Sequence, residues 1–115
     1  MIPIGFKDSS VKANRIHPEI FRALYDVARC YESAGAKSVT ITSLNDAQHR
    51  PGSLHYIGRA VDVRTHDLPF NGAGKRNLRD AIARYLGPGF DVILEDLGGP
   101  REHLHVEYDL RAGDL

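Results

Sequence analysis

Cysteine is nearly absent: Cys30 stands alone among 115 residues. That excludes an internal disulfide framework and a Cys-rich structural zinc site. Cys30 falls in a predicted helix and reads as a buried small hydrophobe, the usual state of a free cysteine. An excess of one charge is missing as well. Lys and Arg number 15, Asp and Glu number 15, and the isoelectric point is near 7. This balance argues against a dominant nucleic-acid or anionic-membrane footprint, so no nucleic-acid partner is expected. No stretch approaches the ~20 apolar residues of a membrane span. The opening residues, Met1-Ile2-Pro3-Ile4-Gly5-Phe6-Lys7, lack the apolar run of a secretory signal. The expectation is a protein made in the cytoplasm that reaches a cell wall only if something releases or carries it. Repeats, linkers and low-complexity tracts are also lacking. The hydrophobic fraction of 42% and charged fraction of 26% are globular averages. Residues 1–115 are therefore expected to form one domain with one core, and a monomer.

What is present reads as alternating helices and strands. Residues 1–13 carry no clear pattern. From Pro18 to Ala34, Ile20, Leu24, Val27 and Tyr31 recur at helical spacing, with Phe21 and Ala28 widening the stripe. Pro18 suits a first helical turn, and Gly35 sits where a glycine would end the helix. Ser38 to Ser43 and Ala60 to Arg64 alternate as strands. Lys75 to Leu86 is a second helix, with Leu78, Ile82 and Tyr85 or Leu86 inward, closed by Gly87-Pro88. Phe90 to Leu94 and His103 to Tyr108 are two more strands. The short turn between them, Leu97 to Arg101, makes them a hairpin, because a parallel pair would need a long crossover. This order favours an α+β fold, a small antiparallel sheet with helices packed on one face.

The chemistry lies in two stretches. In Ser53-Leu54-His55-Tyr56-Ile57-Gly58-Arg59-Ala60-Val61-Asp62, strand alternation puts Val61 and Val63 on the core face and Asp62 on the other. Gly58 lets the chain turn between His55 and Asp62. In Glu102-His103-Leu104-His105-Val106-Glu107, the two histidines share the face of Asp62. Imidazole nitrogen and carboxylate oxygen are good zinc ligands, and three protein ligands plus water is the catalytic arrangement. These residue types point to a mononuclear zinc hydrolase with one Zn2+ per chain on His55, Asp62 and His105, although two imidazoles and one carboxylate also suit iron(II). Glu107 shares the face and is a reserve general base. Glu102 reaches the site only if the strand begins at His103, and Glu95 and Asp96 are weaker candidates. His17, His49 and His66 have no partner pattern. Arg50, in the polar loop from Leu44 to Gly52, is a candidate carboxylate grip.

Ser53-x-His55-x-x-Gly58-x-Ala60-x-Asp62, followed by Glu102-x-x-His105, resembles the paired signature of the zinc D-Ala-D-Ala carboxypeptidase and dipeptidase family. That family belongs to a wider group of murein peptidases with a hedgehog-like fold. The resemblance covers about residues 38–108. It implies that His55, Asp62 and His105 bind zinc and that Glu102 is the general acid/base. It further implies that His103 stabilises a developing oxyanion and that Ser53 contacts substrate. Where family members often carry Ser-Gly-Tyr-Arg, this chain has Thr42-Ser43-Leu44-Asn45. Either Arg50 replaces that arginine, or the enzyme is an endopeptidase that needs no free carboxylate. The expected function is hydrolysis of an amide bond in peptidoglycan stem peptides or cross-bridges, as in a phage-type lysis enzyme. The rival is a non-catalytic zinc module that holds a peptide or protein partner.

Overall fold

The computed structural model describes residues 1–44 and 58–109. Its elements run β1 (Ile4–Phe6), α1 (Pro18–Ser33), β2 (Val39–Ser43), β3 (Ala60–Arg64), α2 (Ala73–Leu86), β4 (Phe90–Glu95) and β5 (His103–Tyr108). The strands form one sheet in the order β1-β2-β3-β5-β4.

Each helix follows from its local chemistry. His17 caps α1, its Nδ1 accepting from the Glu19 N–H at 3.1 Å, and Pro18 needs no partner for a missing N–H. Ile20, Ala23, Leu24, Val27, Ala28 and Tyr31 are buried. Phe21 is 54% exposed; Ala23, not Phe21, completes the core stripe. Gly35 adopts φ +98° beyond the helix end, as a terminating glycine should. In α2 the inward residue of the last turn is Leu86, which packs on the core, while Tyr85 is 53% exposed.

One cluster joins the α1 residues and Ile82 of α2 to Val39, Ile41, Val61, Val63, Val92, Leu104 and Val106 of the sheet. The helices therefore cover one sheet face. Arg79 Nε donates to the Val92 carbonyl at 2.7 Å and pins α2 to β4. Val61, Val63 and Val106 are fully buried, while Asp62, His103 and His105 fall on the opposite face, as alternation requires.

Two expectations need correction. The sheet is mixed, not antiparallel: β1 runs parallel to β2, pairing Ile4 with Val39 and Phe6 with Ile41. A parallel pair is possible there because α1 supplies the long crossover. Three residues, all exposed, are too few to show a strand period. The β4–β5 hairpin is real, but its connection is no tight turn. It spans 96–102 and contains two positive-φ residues, Asp96 (+50°) and Gly98 (+83°). The Asp96 carboxylate accepts from the Arg101 N–H at 2.9 Å and its carbonyl from the Gly99 N–H at 2.8 Å. These bonds let the loop satisfy part of its own backbone.

Candidate functional site

The sheet register assembles the site on the face away from the helices. Asp62 on β3 lies opposite His105 on β5, and His105 lies opposite Ile93 on β4. In the next row, Arg64, His103 and Glu95 stand side by side across the same three strands. Directly opposite residues have Cβ atoms roughly 4.5–5.5 Å apart, so two adjacent rows bring imidazoles and carboxylates together without any special loop. Both β5 histidines alternate with Leu104 and Val106, which are buried at 3% and 0% exposure. Core packing on one face thus holds the ligand-type side chains on the other.

His105 sits between two carboxylates. Its Nδ1 lies 2.7 Å from Asp62 Oδ1, and its Nε2 lies 2.7 Å from Glu107 Oε1. Carboxylates only accept, so both ring nitrogens donate. Burial alone would lower the pKa of this imidazole, but hydrogen bonds and charge from Asp62, then Glu107, outweigh it and raise it to about 9. His103 differs. Its Nδ1 donates to the Arg101 carbonyl at 2.7 Å, and its Nε2 faces Glu95 Oε1 at 3.3 Å and Asp62 Oδ1 at 3.7 Å. Ligand-type atoms of Asp62, Glu95 and His103 all lie within 4.8 Å of one another, a grouping able to hold a metal ion.

A cleft of about 460 Å³ opens beside these groups. Asp62, Glu102 and His103 contribute to its lining, and so do Lys7, Arg64 and Arg101. Arg64 comes from the end of β3 and Arg101 from the 96–102 loop. Acidic and imidazole groups therefore meet three cations at one opening, and His66, which had no partner pattern in sequence, also lines it.

Glu102 precedes β5, which begins at His103, but its carboxylate does not stand open to the cleft. Its Oε2 accepts from Lys75 Nζ at 2.5 Å and from the Thr65 hydroxyl, and its Oε1 accepts from the Gly98 N–H at 3.0 Å. The Lys75 and Glu102 side chains are each only 4% exposed. Burial would raise the pKa of Glu102, but the hydrogen bonds from Lys75, Thr65 and Gly98 and the Lys75 charge pull it down to about 2. A carboxylate held this way is a weak proton acceptor at neutral pH. Lys75 was invisible as a site-adjacent residue in the sequence, where it reads as an ordinary helix-start lysine.

His55, Ser53 and Arg50 lie outside the described residues. Among the residues that are described, the structure brings Asp62, His103, His105 and Glu107 to one face and adds Glu95 to them. Neither the protein-family models nor the curated proteins give a match to this chain.

Proposed function

We propose that this chain is a zinc-dependent hydrolase that cleaves an amide bond in peptidoglycan stem peptides or cross-bridges. The observation that carries the reading is the pairing of Asp62 with His105 on the sheet face away from the helices, beside His103 and at the edge of a cleft. The donor chemistry fits a divalent ion: carboxylate oxygen and imidazole nitrogen are the ligands of catalytic zinc sites. By the resemblance, Asp62 and His105 would hold the ion, which would take the place of the proton that lies between them in the metal-free arrangement, with His55 supplied by the segment outside the described residues. Bound zinc would polarise a carbonyl and make water acidic enough to ionise near neutral pH.

The chain's own residues would do the rest. By the resemblance, His103, whose Nδ1 donates to the Arg101 carbonyl, would steady negative charge on a substrate oxygen through a protonated Nε2. Lys7, Arg64 and Arg101 offer charge-assisted contacts to the carboxylates of an acidic stem peptide. They complement Arg50 and Ser53 as expected substrate contacts. The proton acceptor is Glu102 by the resemblance, with Glu107 in reserve. Both carboxylates have partners in the resting arrangement, Lys75 and His105 respectively, and these contacts lower their readiness to take a proton.

That occupancy favours a second reading, a non-catalytic metal-binding module whose cleft holds an acidic peptide or protein partner. One experiment separates the two. Purified peptidoglycan is incubated with zinc-loaded protein, beside a chelator-treated control, and the products are weighed by mass spectrometry. The hydrolase reading expects new fragments that vanish with chelator, and their masses identify the bond. Absence of new fragments from protein holding one zinc would reject catalysis in favour of the module.

A further inference from the structure

We propose that Lys75 is a positioning residue for the cleft: acting through Glu102, it fixes the 96–102 loop and with it two groups of the cleft wall, Arg101 and the His103 ring. What the cleft does rests on the proposed function, but the positioning itself does not depend on catalysis. The first observation is where Lys75 stands. It is the third residue of α2, whose first turn holds no acidic side chain and whose start no side chain caps. A helix N-terminus disfavours a cation, and burial disfavours it further, yet the Lys75 side chain is only 4% exposed. Neither helix formation nor core packing calls for a lysine there. Its Nζ meets Glu102 Oε2 at 2.5 Å. Replacing such a buried pair by apolar side chains of similar volume is often neutral or stabilising, so stability does not account for the lysine either.

The second observation is what the rest of the Glu102 carboxylate does. The Thr65 hydroxyl donates to the same oxygen as Lys75, and the other oxygen accepts the Gly98 N–H at 3.0 Å, across the loop. From Gly98 the loop closes on itself through Asp96, whose carbonyl accepts the Gly99 N–H and whose carboxylate accepts the Arg101 N–H. The Arg101 carbonyl in turn accepts from His103 Nδ1 at 2.7 Å. A series of bonds thus leads from α2 through the loop to the His103 ring, and Arg101 and His103 both line the cleft. The far end of the series is anchored, since Arg79 ties α2 to the Val92 carbonyl of β4. A side chain held by its own network in this way keeps a site in register, the function that supporting residues serve in preorganised sites.

The test is native-state amide exchange followed by NMR, comparing Gly98, Gly99 and Arg101 with the amides of α1 in the same sample. The double variant Lys75→Met/Glu102→Met leaves no buried charge, so it should fold and keep the protection of α1. Its loop amides should exchange about 10-fold faster or more, as expected when a hydrogen bond to a charged group is lost. Thr65→Val, which removes one donor and leaves the ion pair, should give a smaller loss at the same amides. Loop amides that keep wild-type protection, or that lose it only in step with α1, would overturn the proposal. A second readout is the hydrolysis of peptidoglycan fragments by zinc-loaded Lys75→Met. Its kcat/KM should fall about 100-fold, the cost of misplacing groups by about 1 Å. A rise instead would mean that Lys75 only restrains Glu102 as a proton acceptor, and the positioning role would fall. If Lys75→Met does not fold, exchange in the double variant decides. Wild-type protein that hydrolyses nothing would overturn the hydrolase reading, and the exchange comparison would still decide the role of Lys75.

Discussion

Glu102 shows how little a single residue's identity reveals before its neighbours are known. In sequence it is the acidic member of a Glu-x-x-His pair. In the fold it is one half of a buried ion pair with Lys75, reinforced by Thr65 and the Gly98 N–H. Removing one partner of such a pair leaves an uncompensated charge inside and costs about 3–5 kcal/mol. Glu102→Gln is therefore expected to lose about 3 kcal/mol or more at pH 7 in urea unfolding. The pH dependence has a definite sign. The pKa of Glu102 is lowered from 4.5 to about 2 on folding, so its stabilisation is complete above pH 4.5 and is lost as pH falls toward 2. The stability gap between wild type and Glu102→Gln should accordingly narrow across that interval. A gap that stays constant from pH 5 to pH 2.5 would show that the carboxylate is not held as described.

The secondary elements were legible from period and punctuation to a large degree. Helix α1 begins at Pro18 and ends one residue before its expected close, and β3 and β5 have their expected bounds. β1 was not legible, because its three residues gain their hydrogen bonds only after α1 carries β2 back beside them. The Val39 N–H then donates to the Pro3 carbonyl and the Lys7 N–H to the Ile41 carbonyl, each at 2.9 Å. Gly58 has a φ of +72°, the left-handed conformation that favours glycine, and there is a steric reason for glycine as well: a Cβ there would lie 2.0 Å from the Arg15 carbonyl oxygen. That carbonyl belongs to the lead-in to α1, and the His17 N–H donates to the Gly58 carbonyl at 2.8 Å. The glycine thus couples the entry of β3 to the start of α1. Gly58→Ala combines left-handed strain with a backbone clash, and should destabilise by about 2–4 kcal/mol. A lowered urea midpoint with an unchanged denaturant slope would check it.

For the molecule as a whole, the proposed ion binding would be linked to folding. The ligand-type residues come from β3, β4 and β5, elements that meet only in the folded sheet, so a metal bound on this face favours the native state. At a zinc concentration 100 times the dissociation constant the gain is about 2.7 kcal/mol. Thermal unfolding should accordingly shift upward by several degrees with zinc and return with chelator, and Asp62→Ala should abolish the shift. An equal shift in Asp62→Ala would place the ion elsewhere. Within the described residues no helix is long and apolar enough to cross a membrane, in keeping with the lack of a span in the sequence.

By itself, the sequence determined which side chains share a strand face. Alternation has a period of two, so Asp62, His103 and His105 had to lie opposite Val61, Leu104 and Val106 once those became core. It also limited the donors open to any metal, since a chain with one cysteine offers chiefly imidazoles and carboxylates. Only the tertiary structure decided which donors meet. Pairing of Glu95 with His103 depends on the hairpin register, and the register depends on a seven-residue loop, 96–102, whose length no periodicity reveals. Occupancy of Glu102 by Lys75 depends on how the first turn of α2 packs beneath that loop. Both are long-range facts, set by which surfaces bury each other and not by any local preference of the residues concerned.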